Sequence, residues 1–387
     1  MMDTKKVGTA SPRLNEEGRG SQRSCECSPE CCGWTAAKGK EESYTRETAH
    51  WIERRFETLV GPIPVVRTRL SRNDVLGKVK ARFGIGRMNY KIKPGLYAVG
   101  SAHPGSPIFV SANYKLSFDS LRRELVGLDA WILVLDTKGI NVWCAAGKGT
   151  FGTDEIVHRI EETGLTRVVS HRVLILPQLG APGVAAHEVT RRTRFKVVYG
   201  PVRAADIKDF LAGGMKATPE MRLVTFKLKD RFVLTALELT SPFKYLVIVT
   251  AVFWILCLLG LPSLSWKAWY PYLGAILIGG FLVPLLLPWI PGRPFAWKGW
   301  LLGVVWAATV AIFQGLLPIT AASWERAAAN FLVLPAISAF LAMGFTGSST
   351  YTSLSGVLKE MRYAVPAILA SFSIGVVLLA VVLFRGL

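Results

Sequence analysis

The stretch "AWILVLDTKGINVWCAAGKGTF" occupies residues 130–151, and its order of residue types decides the fold. Residues 130–135 are apolar without alternation, the pattern of a strand buried on both faces. A polar, glycine-containing turn follows. Asn141 is then placed to cap a helix whose first turn holds Val142, Trp143 and Cys144. Strand, turn and helix start in this order belong to an α/β fold. In open parallel sheets ligands bind beyond the carboxyl ends of the strands, which is where this segment puts Cys144.

The flanking sequence repeats the pattern. "SPIFVSANY" (106–114) predicts a strand entering a turn, and "SFDSLRREL" (117–125) a helix capped by Ser117. "GTDEIVHRIEETG" (152–164) predicts an amphipathic helix with Thr153 as cap and Gly164 as stop. "RVLILPQLG" (172–180) reads as strand then turn, "GVAAHEVTRRT" (183–193) as helix, "FKVVYG" (195–200) as strand, and "RAADIKDFLAGG" (203–214) as a helix ending at glycines. Uniformly apolar strands between helices predict a parallel sheet covered on both faces.

The whole chain is more apolar than a soluble protein of 387 residues, with a mean hydropathy of +0.34. The excess is concentrated after residue 243. Apolar runs cover 245–261, 272–290, 300–317, 331–345 and 363–384. A helix needs roughly 20 residues to cross a bilayer. Five spans are expected, with the short fourth run extending back into "WERAAAN"; four is the alternative. Tryptophans cluster near the run ends, as in an interfacial belt. Lysine and arginine gather before the first span, between the second and third, and in a 346–362 loop between the fourth and fifth. That bias places residues 1–240 in the cytoplasm of a multi-pass membrane protein. No signal peptide precedes the first apolar stretch. The expected organisation is a polar, disordered tail over 1–48, a ligand-binding α/β domain over 49–225, a linker over 226–242 and a membrane domain over 243–387.

Forty-six Lys and Arg against 27 Asp and Glu give a formal charge of +19. The basic residues are dispersed and belong to no nucleic-acid module; a cytoplasmic domain above anionic membrane lipids explains them better. The tail contains "CECSPECC", in which Cys25, Cys27, Cys31 and Cys32 suit a soft metal such as Hg(II), although their spacing matches no zinc module.

Three chemistries compete for the 141–151 turn. A phosphate loop fails, because Val142 stands where the first glycine belongs and Gly149 follows Lys148. "GIGRMN" (84–89) lacks the third glycine of a dinucleotide fingerprint. A cysteine nucleophile has His158, His171 and His187 in the same domain, without the context of a cysteine hydrolase. A ligand role is favoured by the helix start, which suits the metal-ligating thiolate. A structural cysteine remains the alternative on the residues alone. The membrane runs carry no charge at mid-span, which argues against transport chemistry.

"DTKGINVWCAAGKGTFGT" (136–153) resembles the cap-helix motif of the corrinoid proteins of the mercury-methylating pair, the HgcA family. A related motif occurs in the large subunit of the corrinoid iron–sulfur protein of acetyl-CoA metabolism. "SPIFVSANYKLSFDSLRREL", "VVSHRVLILPQLGAPGVAAHEV" (168–189) and "FTGSSTYTSLSGVLKEMRYAVP" (345–366) resemble further segments of the same family. The resemblance implies a Rossmann-like domain that binds a cobalamin-type corrinoid in base-off form, followed by membrane helices. It implies Cys144 as the lower axial cobalt ligand, a thiolate that donates more electron density than a neutral imidazole. It implies a cap helix and its flank formed by Asn141, Val142, Trp143, Ala145, Ala146, Gly147, Lys148, Thr150 and Phe151. It places further contacts at Ser111, Asn113, Gln178, Leu179, Gly180, Ala181, Pro182 and Gly183. By the same resemblance the acceptor is Hg(II), the product methylmercury and the methyl donor a methyltetrahydrofolate-linked carrier. The implied partner is a small ferredoxin with two [4Fe–4S] clusters, of HgcB type. The setting is a bacterial or archaeal cytoplasmic membrane. The cysteine tail is a departure from the family pattern.

Overall fold

The computed structural model describes residues 50–235, 266–321, 323–348 and 354–385. The first of these blocks is an α/β domain with a seven-stranded sheet in the order β1-β2-β3-β5-β4-β6-β7. Its strands are β1 (Ile52–Thr58), β2 (Gly61–Val66), β3 (Gly95–Val99), β4 (Ile108–Ala112), β5 (Ala130–Leu135), β6 (Val173–Leu176) and β7 (Lys196–Tyr199). The helices between them are α1 (Arg72–Arg82), α2 (Lys115–Glu124), α3 (Val142–Gly147), α4 (Thr153–Glu162), α5 (Leu165–Val168) and α6 (Ala186–Thr193), with α7 (Ile207–Ala212) after β7.

The four strands read from the sequence form the parallel part. β4 pairs with β5 from Ile108↔Trp131 to Ala112↔Leu135, and with β6 through Ile108↔Leu174. β6 pairs with β7. The expected all-parallel sheet is corrected by its other half. β3 runs antiparallel to β5, and β1 and β2 form an antiparallel hairpin closed at Gly61, whose φ of +103° suits glycine. The sheet is therefore mixed, and the domain is Rossmann-like.

β4 and β5 are buried along their whole lengths, so both sets of alternating side chains find a core. Val110, Leu133 and Leu135 pack on one face with Ile156 and Ile160 of α4 and Val189 of α6. Phe109, Ile132 and Val134 pack on the other with Phe118 of α2 and Phe210 of α7. Each such side chain contributes roughly 1.5–3 kcal/mol on burial. The chain leaves β4 toward one face and leaves β5 and β6 toward the other. That divergence opens the crevice at which α/β sheets bind ligands.

Several expected boundaries move. α2 begins at Lys115 with Tyr114 at its cap, so Ser117 lies inside it. Gly152, not Thr153, caps α4; the Thr153 hydroxyl instead accepts the Ala185 amide at 2.9 Å. Residues 183–185 precede α6 rather than belonging to it. Gly164 does follow the end of α4, in a left-handed conformation.

A buried charge network fixes α1 and α2 to the sheet edge. Lys115 Nζ donates to Asp74 at 2.7 Å and to both Asp119 oxygens at 2.8 and 2.9 Å. The Arg122 guanidinium donates to Asp119 at 2.8 Å, lies 3.0 Å from Asp74 Oδ2 and donates to the Arg67 carbonyl. Trp51 and Tyr90 flank the Lys115 ammonium. Asp74 also completes a capping box with Ser71 at the start of α1. Burial alone would raise the Asp74 pKa, but the donors Lys115 and Ser71 prevail and hold its carboxyl well below the usual carboxylate range.

The second half is helical: α8 (Trp266–Leu277), a π-helical segment (Ile278–Leu282), α9 (Val283–Leu286), α10 (Phe295–Phe313), α11 (Trp324–Gly344) and α12 (Leu354–Arg385). Among the described residues, four stretches are long and apolar enough to cross a membrane: Trp269–Leu286, Phe295–Phe313, Trp324–Gly344 and Ser355–Val382. They match the last four expected runs, and α11 reaches back into "WERAAAN" as expected. The first expected run, 245–261, lies outside the described residues. The expected 346–362 loop is shorter, because residues 354–362 belong to α12.

α11 is the central helix. Small residues let its neighbours approach: a Cβ on Gly279 or Gly299 would stand 2.5 Å from the Ser338 carbonyl, and one on Gly303 would stand 2.6 Å from Pro335 Cα. Ser338 Oγ donates to the Ala275 carbonyl at 2.9 Å. The two halves meet through residues 223–235. Phe226 is buried against Val283, Leu287 and Phe345, and Arg231 donates to the Leu285 carbonyl while lying over the Trp289 ring.

Removing one partner of a buried ion pair strands the other charges, at a cost of about 3–5 kcal/mol. Asp74→Ala is expected to destabilise the chain by that amount in urea titrations at pH 7. A depressed folded-state pKa makes this contribution complete above the unfolded value near 3.8 and lost as pH falls below it. The gap between wild type and variant is therefore expected to close in titrations carried progressively below pH 3.8.

Candidate functional site

The turn after β5 is built from the backbone outward. Lys138 and Gly139 both take positive φ, +57° and +74°, a conformation that requires outside support for a non-glycine residue. Asn113, at the end of β4, supplies it. Its buried Oδ1 accepts the amides of Thr137 at 3.1 Å and Gly139 at 2.9 Å and faces the Thr137 hydroxyl at 2.9 Å. Its Nδ2 donates to Asp136 at 3.0 Å. Burial would raise the Asp136 pKa, but hydrogen bonds from the Lys138 side chain and amide hold it lower. Glu155 of α4 accepts the Asp136 amide at 2.8 Å and is itself held by Arg159. The turn is thus clamped from two sides before the helix begins.

α3 begins where the sequence predicts. The Asn141 carboxamide oxygen accepts the Cys144 amide at 3.0 Å, and its nitrogen donates to Cys144 Sγ at 3.5 Å. One side chain therefore caps the helix and places a donor on the sulfur. Cys144 is a free, exposed cysteine. Trp143 beside it is 38% exposed. Val142, Ala145 and Ala146 turn inward and join the core under the sheet edge.

The loop after β6 packs against this helix. Residues Gln178–Gly183 form a 3-10 turn, and Gly183 lies so close that a Cβ would stand 2.3 Å from the Phe151 carbonyl and 2.9 Å from Ala146 Cα. A Cβ on Gly180 would strike the Phe151 ring, which is fully buried. Phe151 is thus a wedge, held by its amide bond to the Ala145 carbonyl at 3.1 Å. Ideal Cβ positions on Gly147 and Gly149, in contrast, meet nothing within 4 Å. The space on that side of the cysteine is open.

The structure gathers most of the expected residues. Asn141 to Phe151 and Gln178 to Gly183 form one continuous surface, with Cys144, Trp143, Gly147, Lys148 and Pro182 exposed, Thr150, Gln178, Leu179 and Ala181 half-buried, and Gly180 buried. Ser111 is corrected in position, since it lies within β4 instead of on a turn, while Asn113 stands at the bend directly after that strand. Ser111 is inside β4 and 3% exposed, and Asn113 is fully buried with its oxygen committed to the 137–139 turn. Asp136 and Glu155, which the sequence reading did not single out, complete that support. The sequence signal of Asp136 is a polar residue directly after an apolar strand, and that of Glu155 is an acid in the first turn of a helix. The three histidines do not activate the thiol. His171 bonds the Ser106 carbonyl at the opposite edge of the sheet, while His158 and His187 are exposed beside Glu162 and Glu188. Among the described residues no group of three His, Cys, Asp or Glu side chains could hold a metal. Cys25, Cys27, Cys31 and Cys32 lie outside the described residues.

A family model described as the CO dehydrogenase/acetyl-CoA synthase delta subunit matches residues 61–211, the interval from β2 into α7. Among curated proteins, the acetyl-CoA decarbonylase/synthase complex subunit gamma of Archaeoglobus fulgidus is 31% identical over 161 residues, covering 40% of this chain and 34% of that protein. The same subunit of Methanopyrus kandleri is 31% identical over 123 residues, or 31% of this chain and 26% of the relative. That of Methanocaldococcus jannaschii is 31% identical over 122 residues, 31% and 25% respectively. The chain thus spans about a third or less of the length of these relatives. The likeness to the family model is confined to the α/β domain.

Gly183 offers a test of the joint surface. In Gly183→Val the side chain meets backbone that cannot yield, so the 178–183 turn must move off α3, at about 1–3 kcal/mol. Hydrogen exchange is expected to accelerate in residues 142–151 and 178–183 together, with β4 and β5 unchanged.

Proposed function

We propose that the α/β domain holds a cobalamin-type corrinoid and that the chain is a corrinoid-dependent methyltransferase. The single observation that carries this reading is the exposed Cys144 at the carboxyl edge of the sheet, capped and contacted by Asn141. Its support is the likeness of residues 61–211 to subunits of acetyl-CoA-synthesising complexes, together with the 136–153 motif. The residues present suit such a group. A lone thiol is enough where a macrocycle supplies the remaining metal ligands. A donor on the sulfur suits a ligand that carries negative charge. The open side of Gly147 and Gly149 leaves room for a broad flat molecule.

A bound corrinoid would supply a cobalt centre able to accept and release a methyl group. Cys144 would hold that cobalt as thiolate. Asn141 would orient the sulfur through the two ends of its carboxamide. Val142, Ala145, Ala146 and Phe151 would keep α3 seated on the core. Trp143, Gly147, Lys148 and Thr150 would border the ligand, with the Gln178–Gly183 turn along its edge. Asn113 would act at one remove, by fixing the turn that carries Asn141, and Ser111 from within β4.

We further propose Hg(II) as the methyl acceptor, which makes methylmercury the product. The 136–153 motif followed by membrane helices supports it. Hg(II) is soft and thiolate-seeking, so a protein that delivers it needs thiols; a small ferredoxin with two [4Fe–4S] clusters fits both that need and the return of cobalt to its reduced form. Cys25, Cys27, Cys31 and Cys32 offer a second route for capture. A methyltetrahydrofolate-linked carrier fits the donor side. The basic ends of the helices favour a multi-pass protein with the α/β domain on the cytoplasmic face. The curated relatives favour a second reading, a membrane-anchored corrinoid carrier serving another acceptor.

The purified chain, reconstituted with a cobalt corrin, is expected to show a visible spectrum that shifts on Cys144→Ala, and the variant is expected to form no methylmercury. Undiminished methylmercury formation by Cys144→Ala would sink the assignment. Methyl transfer to other acceptors with none to Hg(II) would select the carrier reading.

A further inference from the structure

α1 is turned the wrong way round for a helix on a soluble domain. Its acid, Asp74, and Ala81 face inward, while Val75, Leu76 and Val79 face outward with Phe83, Ile85 and Met88 beyond its end. All six are exposed, from 46% to 63%. Val75, Val79 and Phe83 follow the three-to-four residue spacing of a single helical stripe. The inversion has a cause, since the inner face is claimed by the Asp74–Lys115–Arg122 network. Monomeric soluble domains rarely expose an apolar patch of this continuity.

Charge points to what covers it. Residues 72–88 contain five cations (Arg72, Lys78, Lys80, Arg82, Arg87) and a single acid, and that acid is buried. An apolar stripe rimmed by cations is the chemistry of a helix lying in the headgroup layer of an anionic membrane. The position agrees. Lys78 and Arg82 sit close enough to Lys229 and Asp230 for their charges to interact. Lys229 and Asp230 belong to the segment that docks through Phe226 and Arg231 on the helices able to cross a membrane. The cations that rim the stripe therefore lie within charge-interaction range of the junction between the two halves.

We infer that the outer face of α1 and residues 83–88 rest on the surface of an anionic bilayer. The α/β domain is then held at the membrane by two supports, the 223–235 segment and the inverted helix. The inference does not depend on the bound cofactor.

The test uses the full chain in liposomes of phosphatidylcholine, with and without phosphatidylglycerol, each carrying a photoactivatable phospholipid. Lipid adducts are expected on the 72–88 peptide in anionic liposomes. They are expected to fall at least about fivefold in neutral liposomes, the factor that roughly 1 kcal/mol from a single surface cation gives, and to fall as far in the variant Val75→Ser, Val79→Ser, Phe83→Ser, with adducts on Leu354–Arg385 as the constant reference. Labelling of Leu354–Arg385 without 72–88 would overturn the inference. So would protein crosslinks from 72–88 to residues 1–49, to 236–265 or to a second copy in place of lipid adducts.

Discussion

One carboxamide organises the candidate site. Asn113 Oδ1, fully buried at the end of β4, gathers the amides of Thr137 and Gly139 onto a single acceptor. The turn it holds contains two consecutive residues of positive φ, a geometry a free chain visits rarely. With that turn fixed, Asn141 falls where it can cap α3, and Cys144 falls on the outermost turn. With it loose, only the Glu155 clamp on Asp136 and the packing of α3 on the core are left to set the direction of the thiol. The buried acceptor is therefore worth more than its net hydrogen-bond energy, because an unmatched amide pair in its place would carry the full desolvation cost.

Around this clamp the two kinds of packing in the chain solve opposite problems. In the α/β domain, water drives assembly, so β4 and β5 bury large side chains on both faces. In the helical half, whose helices are long and apolar enough to cross a membrane, apolar side chains would gain little from leaving lipid. Close backbone approach takes over, through Gly279, Gly299 and Gly303 against α11 and the Ser338 hydroxyl on Ala275. The buried charges at the edge of the sheet show a third solution. Lys115 and Arg122 are tolerated only because Asp74 and Asp119 surround them, and that demand turns the apolar stripe of α1 outward.

Local signals were legible and distant ones were not. The apolar runs at 108–112, 130–135 and 173–176 announced their strands because burial on both faces leaves no alternation to misread, and 196–199 did so by its β-branched and aromatic residues, although it is only half-buried. Asn141 was legible as a cap because its partner, the Cys144 amide, is three residues away. Ser117 and Thr153 are equally good capping residues by type, yet Tyr114 and Gly152 hold those positions; the Thr153 hydroxyl is claimed by Ala185, 32 residues on. β1, β2 and β3 gave little warning, since β1 is a charged edge strand and β3 is defined by antiparallel pairing across 31 to 39 residues. Asn113 has a structural task that the sequence reading did not include, the support of the 136–139 turn. Its bonds reach residues 24 to 26 positions away, and no spacing within "SPIFVSANY" encodes that reach. The Asp74–Lys115 pair, 41 residues apart, is equally silent.

The short junction carrying Phe226 and Arg231 has a kinetic meaning. A domain moored to helices within a few residues cannot tumble independently of them, so in a bilayer its open edge sweeps a thin shell above one leaflet. On the proposed function, reactants that partition into or adsorb on that leaflet would meet Cys144 by lateral diffusion, in two dimensions. Their relevant concentration is then a surface density, and it scales with membrane area instead of cell volume.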